Sequence, residues 1–120
     1  MASLLNVPGP RVVDMRTIRE ACAEIAARFR PLKIVLFGSH AHGNATAGSD
    51  VDLLVIMRFT GNPHEQSLAI RAHLNRDGAR FPMDILARTP EAVAWRLANG
   101  DSFLKEVLEH GVVMYEAADA

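Results

Sequence analysis

The sequence predicts an α/β (α+β) domain. Short apolar runs typical of strands alternate along the chain with stretches whose apolar residues recur at helical spacing. The chain has 120 residues, of which 49% are hydrophobic and 22% are charged, as is usual for one globular domain. We therefore expect a flexible N-terminal arm over residues 1–13, where two prolines interrupt any periodicity, and a single domain over residues 14–120.

Each element is predicted from its own local pattern. Asp14 is a candidate N-cap for a helix that runs to about Arg30, with an apolar stripe that includes Cys22. Strands are predicted where short apolar runs are bounded by turn residues, and later helices where Thr, Pro and Gly occur at suitable ends. The predicted strands cover residues 33–37, 50–57 and 80–87 with an edge strand at 112–115, and the further predicted helices cover residues 64–75, 89–99 and 101–109.

Composition excludes several classes of protein. The 13 Lys and Arg residues are balanced by 14 Asp and Glu residues, so direct binding to nucleic acid is not expected. Cys22 is the single cysteine, which rules out an intrachain disulfide and favours a reducing compartment, and we expect its thiol to be buried. No signal peptide is recognisable and the longest apolar run, Leu53 to Met57, is too short to cross a membrane, so a cytoplasmic location is expected.

Two carboxylates begin the second predicted strand. Asp50 and Asp52 are two residues apart, so they point to the same face of a strand and lie roughly 7 Å apart along it. The rest of this strand is apolar, and adjacent negative charges at a partly buried position are costly unless a cation lies between them. Carboxylate oxygens suit Mg²⁺, which binds through one or two of them together with phosphate oxygens of a substrate.

A third carboxylate, Asp84, interrupts the third apolar strand. If that strand lies beside the second, Asp84 can join Asp50 and Asp52 in a metal site, where two ions could act on a phosphoryl transfer. The alternatives are that the first two acids form a solvent-exposed pair after a turn, and that Asp84 is exposed or paired with Arg80 or Arg88.

A small-residue junction, Gly38-Ser39, follows the first predicted strand. A glycine that ends a strand and begins a helical turn exposes backbone N–H groups that can bind phosphate, and the serine hydroxyl adds a donor. Neither a P-loop nor a dinucleotide fingerprint is present. His40 and His42 follow directly, and an alternative interpretation is a zinc site built on that pair.

Together these residues resemble a known signature. Gly38-Ser39, a ten-residue gap, and then Asp50 and Asp52 are similar to the motif of minimal nucleotidyltransferases (MNT) in the DNA polymerase β-like superfamily, with Asp84 where the family's third acid belongs. The resemblance extends from the first helix to the C-terminal segment. It implies a nucleotidyltransferase fold, with a small mixed sheet flanked by helices. It also implies a nucleotide site at Gly38 and Ser39, and catalysis and Mg²⁺ binding, with two ions, by Asp50, Asp52 and Asp84.

The resemblance further implies a reaction and a partner. The expected reaction is transfer of AMP from ATP to a hydroxyl group with release of pyrophosphate, and small members of this kind act as antitoxins that modify HEPN toxins. Two alternatives stay open: an antitoxin or nucleotide-binding module that acts by binding its partner, and a subunit that modifies small molecules of the aminoglycoside type.

Two further features are open to more than one interpretation. Family members commonly carry Arg in the segment where this chain has His40 and His42, so the segment offers less fixed positive charge; we expect one of these histidines, His40 first, to contact phosphate. Trp95 lies on a predicted helix, either at the edge of the core or as an anchor for a partner.

Overall fold

A computed structural model describes residues 12–76 and 81–118 of the chain. Within these ranges the chain forms five helices and four strands. The helices are α1 (Met15–Phe29), α2 (Ser39–His42), α3 (Pro63–Leu74), α4 (Pro90–Ala98) and α5 (Ser102–His110); the strands are β1 (Lys33–Phe37), β2 (Val51–Ile56), β3 (Met83–Arg88) and β4 (Val112–Glu116). The predicted α/β class is confirmed.

The four strands form one mixed sheet in the order β3-β2-β1-β4. β1 is antiparallel to both β2 and β4, whereas β2 and β3 are parallel. β4 therefore lies at one edge, as predicted, and β3 at the other. Since β2 and β3 are parallel and β1 runs the opposite way, the start of both acidic strands and the end of β1 meet at the same end of the sheet.

Helices cover both faces of the sheet. On one face α1 and α3 enclose the larger core cluster, to which β2 contributes Val51, Leu53 and Val55. On the other face α4 and α5 enclose a smaller cluster that includes Leu54 and Ile56 of the same strand. The alternation along β2 shows that the face carrying Asp52 is the face that α4 and α5 partly cover.

Helix starts follow the capping residues. The Asp14 side chain accepts a hydrogen bond from the Thr17 backbone N–H at 2.8 Å, as expected of the predicted N-cap of α1. Cys22 is buried on the inner face of α1, and burial raises the pKa of its thiol to about 12. The expected burial of this thiol is confirmed.

Several boundaries differ from those predicted. The third strand begins at Met83, not Arg80, because Pro82 has no N–H to donate; its carbonyl instead accepts from the Val51 N–H at 3.0 Å. α3 includes Pro63, which occupies the first turn after the Asn62 cap.

Parts of the predicted arm and of the third strand lie outside the described residues: only Val12 and Val13 of the arm are included, and position 80 is not. In the described ranges no helix is both long enough and apolar enough to span a membrane.

Candidate functional site

The two strand carboxylates lie side by side. Asp52 is in register with Asp84 across the parallel β2–β3 pair, and with Phe37 across the antiparallel β1–β2 pair. Neighbouring strands lie about 4.8 Å apart, and residues in register on them point to the same face. Leu54 and Leu86, two residues further along each strand, both belong to or pack against the cluster under α4 and α5, which places Asp52 and Asp84 on that face as well.

Gly38 lies against Asp52. It has a φ of 76°, in the left-handed region that favours glycine, and it forms the N-cap of α2 directly after β1. A Cβ atom at this position would overlap the Asp52 carboxylate oxygen Oδ2. The absence of a side chain at Gly38 is therefore what allows the backbone at the end of β1 to approach the carboxylate.

Ser39, the first residue of α2, is half-buried. The Gly38-Ser39 junction lies next to Asp52, and of the first N–H groups of α2 that of Ala41 donates to the Gly38 carbonyl at 3.1 Å. His42, at the other end of this short helix, is exposed.

His40 contacts the chain just before β2. Its Nδ1 atom lies 3.0 Å from the carbonyl oxygen of Asp50, so the N–H of this tautomer donates to that carbonyl. The side chain of His40 is only 8% exposed, and its Nε2 atom is buried without a hydrogen-bond partner. The structure thus places His40 behind Asp50, where it fixes the backbone that carries this exposed acid.

The electrostatics of the site centre on Asp52. Partial burial raises the pKa of the Asp52 carboxyl above its ordinary value, and the carboxylates of Asp84 and then Asp50 raise it further, against a smaller lowering by His40. Asp50 and Asp84 are thus both close enough to act on the Asp52 carboxyl. Like charges at such a spacing favour binding of a proton or a cation.

A divalent cation suits this donor set in part. Carboxylate oxygens are hard ligands of the kind Mg²⁺ prefers, and the Asp52 carboxylate lies directly against the backbone of Gly38. In residues 12–76 and 81–118, however, no three His, Cys, Asp or Glu side chains converge closely enough to hold a metal ion as they stand. This finding also disfavours the zinc alternative, since His40 is buried and His42 is exposed.

Asp84 is exposed, and among the described residues it forms no ion pair with Arg88, whose guanidinium donates to the Ala87 carbonyl at 2.8 Å. The alternative partner Arg80 lies outside the described residues.

Sequence reasoning did not identify the surroundings of Asp84. A cavity of about 400 Å³ adjoins this residue, and its lining includes Arg71 of α3, Arg88 of β3 and Arg96 of α4. These arginines are far apart in sequence and share no motif. Only the tertiary arrangement brings them together.

A family model and one solved structure agree with this architecture. A family model described as a nucleotidyltransferase domain matches residues 15–113. A solved structure described as a toxin-antitoxin with AMP-PNP is 18% identical, with a TM-score of 0.52 over 84% of this chain and 75% of that one. A protein from Sulfolobus solfataricus, provisionally assigned as a nucleotidyltransferase, is 20% identical with a TM-score of 0.48 over 82% of this chain and 77% of that one. No curated protein matches.

Proposed function

Because the chain belongs to the nucleotidyltransferase domain family, we propose that it transfers AMP from ATP to a hydroxyl group of a partner protein. The observation that carries this proposal is the pairing of Asp52 with Asp84 in register on parallel strands, with Gly38 directly against Asp52. A phosphate held at the glycine would lie beside Asp52, whose neighbour across the strand pair is Asp84.

The proposed step is a substitution at the α-phosphorus of ATP. The acceptor hydroxyl oxygen forms a bond to the α-phosphorus of ATP, and the bond from that phosphorus to the oxygen bridging to the β-phosphate breaks. Pyrophosphate leaves with the electron pair of the broken bond. The hydroxyl proton passes to the carboxylate of Asp84, which is exposed and therefore accessible to an acceptor.

Asp50, Asp52 and Asp84 would hold Mg²⁺, two ions in the family pattern. When bound, the metal would neutralise phosphate charge and align the reacting oxygens. The raised pKa of Asp52 supports this assignment, because its leading causes, burial and two neighbouring carboxylates, would be offset by a bound cation.

The nucleotide phosphates would bind at Gly38 and Ser39. Nδ1 of His40 is hydrogen-bonded to the Asp50 carbonyl, whereas Nε2 has no hydrogen-bond partner. Any direct contact of His40 with phosphate would therefore be made by Nε2. Its main part in the proposal is to position Asp50.

A HEPN toxin is the proposed partner. The sequence signature implies it, and the structure described as a toxin-antitoxin with AMP-PNP shares the fold of this chain. One observation favours the binding-only alternative: α2 carries no arginine, and its one buried histidine faces Asp50.

Intact-mass measurement of the partner separates the two functions. The chain is incubated with ATP, Mg²⁺ and the product of the neighbouring gene, and transfer is expected to add the mass of an AMP unit to that product. Asp50→Asn should abolish the addition, whereas the surface control Glu20→Gln should retain it. A stable complex without any mass change would refute transfer to that partner and support the binding module.

A further inference from the structure

A positively charged cavity lies on the β3 side of the acids. It has a volume of about 400 Å³, within the range of small-ligand sites, and it is bounded by α3, β3 and α4. Asp84 lines it together with Arg71, Arg88, Arg96 and His64. The carboxylate of Asp84, the proposed proton acceptor, therefore lies in the wall of this cavity.

The geometry of β3 explains how one cavity includes both an acid and arginines. Asp84 and Arg88 are four residues apart on a strand, so they share a face and lie about 13 Å apart along it. α3 flanks the outer edge of β3 and contributes Arg71, which is exposed. α4 follows β3 and contributes Arg96 from the face of the sheet.

The charges of the lining do not cancel. Arg96 pairs with Asp101 at 3.5 Å, while Arg71 and Arg88 form no ion pair with a carboxylate among the described residues. Among the lining residues within 12–76 and 81–118, three guanidinium groups stand against one carboxylate, that of Asp84, so this part of the lining carries an excess of positive charge. Arginine binds carboxylates and phosphates through paired hydrogen bonds, so the lining suits a ligand that carries such a group.

The cavity lies on the opposite side of Asp52 from the proposed nucleotide site, so it suits the acceptor and not the nucleotide. Gly38 lies on the β1 side of Asp52, whereas the cavity opens on the β3 side, at Asp84. With strands about 4.8 Å apart, the two locations are separated by about 10 Å across the sheet. A nucleotide at Gly38 would leave the cavity available to the group that receives AMP.

We infer that this cavity binds the acceptor, and that the acceptor carries a carboxylate or phosphate close to its reactive hydroxyl. The inference rests on the proposed transfer and names the substrate class of the same site. It disfavours polycationic acceptors of the aminoglycoside type, which the arginines would repel.

Matched synthetic acceptors test the inference with the full-length chain. The carboxylate probes are tyrosyl peptides flanked by Glu, by Gln or by Lys, and the phosphate probes are glycerol 3-phosphate and glycerol. Peptide binding is measured by fluorescence anisotropy, and transfer by pyrophosphate release with ATP and Mg²⁺. We expect the Glu peptide to bind about tenfold more tightly than the Gln peptide, and less tightly at high salt. Which anionic probe is turned over identifies the source of the anion.

Arg71→Gln should remove most of this preference without changing ATP affinity, because Arg71 lies away from Gly38. Arg19→Gln, an exposed arginine on α1, is the matched control and should change neither. Circular dichroism confirms that both variants are folded. Equal binding of the Glu and Gln peptides and equal turnover of glycerol 3-phosphate and glycerol, or preference for the Lys peptide, would overturn the inference even if pyrophosphate is released. Arg71-dependent binding of the Glu peptide without pyrophosphate release from any probe would instead refute the transferase and leave the anion site standing.

Discussion

Gly38 joins backbone conformation to chemistry at the level of a single residue. Its positive φ permits the sharp turn from β1 into α2, and its missing side chain admits the Asp52 carboxylate. Gly43, at the other end of α2, has nearly the same φ, 77° against 76°, but an added Cβ there would meet nothing within 4 Å. Their ψ values differ, −156° at Gly38 against 11° at Gly43, so a side chain at Gly38 meets a larger backbone strain as well as the overlap with Asp52.

Gly38→Ala is expected to destabilise the fold by more than Gly43→Ala, which should cost about 1 kcal/mol through strain alone. Only Gly38→Ala should also displace Asp52 and abolish ATP binding. Urea unfolding gives the stabilities, and calorimetric titration with ATP gives the affinities. Equal behaviour of the two variants would contradict both the larger strain and the overlap at Gly38.

The raised pKa of Asp52 has a consequence for stability. The folded protein keeps the Asp52 proton to a higher pH than the unfolded chain does. Protonated Asp52 therefore contributes fully to stability at a pH below its pKa in the unfolded chain. This contribution is lost as the pH rises through its pKa in the folded protein. In the presence of EDTA, Asp52→Asn should therefore raise the melting temperature at neutral pH. The gain over wild type should disappear at a pH below about 3.9, the ordinary pKa of Asp.

Melting curves measured from pH 3 to pH 7 for Asp52→Asn, with Glu20→Gln as the surface control, would check this expectation. A melting temperature of Asp52→Asn that stays below that of wild type at neutral pH would contradict it.

Residue types and spacing were enough to single out the acids and the glycine junction, which the fold brings close together. Asp50, Asp52 and Gly38 are connected by a short stretch of chain, and Asp84 could be added because it interrupts an apolar run. The contact of His40 with the Asp50 carbonyl was not predictable, since periodicity does not say which side of a four-residue helix is buried.

At the level of elements, a single serine joins α3 to the edge strand β3. The Ser67 hydroxyl donates to the Pro63 carbonyl at 2.9 Å and accepts from the Ala87 N–H at 2.9 Å. This N–H points outward from the sheet, where no further strand within residues 12–76 and 81–118 pairs with β3. Ser67 thus satisfies a buried donor and holds the strand that carries Asp84.

Ser67→Ala should cost about 1–3 kcal/mol, because it leaves the buried Ala87 N–H without a partner. Ser102→Ala, at an exposed position at the start of α5, is the control and should change stability little. Chemical denaturation measures both, and hydrogen exchange at Ala87 should accelerate only in the first variant. Unchanged exchange there would contradict the proposed link.

The elements themselves were easier to predict than their ends. Strands β1 and β2 are apolar almost throughout, because both of their faces are covered, and such runs are recognisable in a sequence. α3 gave only a weak stripe since just Ser67, Ile70 and Leu74 of that helix are buried. The start of β3 was predicted too early because Pro82 has no N–H and its carbonyl bonds to Val51 of β2. The pairing with β2 is a tertiary feature that the local sequence pattern does not show.

For the whole molecule, the proposed site makes stability depend on two ligands together. If ATP binds through Mg²⁺ at the acids, the two ligands together should raise the melting temperature. At an ATP concentration 100 times its dissociation constant, the free energy of unfolding should increase by roughly 2.7 kcal/mol. Removal of the metal with EDTA should abolish most of the shift. Asp52→Asn should show none of the metal-dependent part, and an identical shift in EDTA would contradict binding through the metal.

Trp95 resolves one of the questions left open by the sequence: it is 66% exposed on α4 and does not belong to the core edge. As the only tryptophan in the chain, it dominates the intrinsic fluorescence. Its indole meets water in the folded protein as it would in the unfolded chain, so emission should change little on denaturation and should underreport unfolding. The same side chain becomes an optical reporter of association, since a partner that covers the outer side of α4 would shift its emission to the blue.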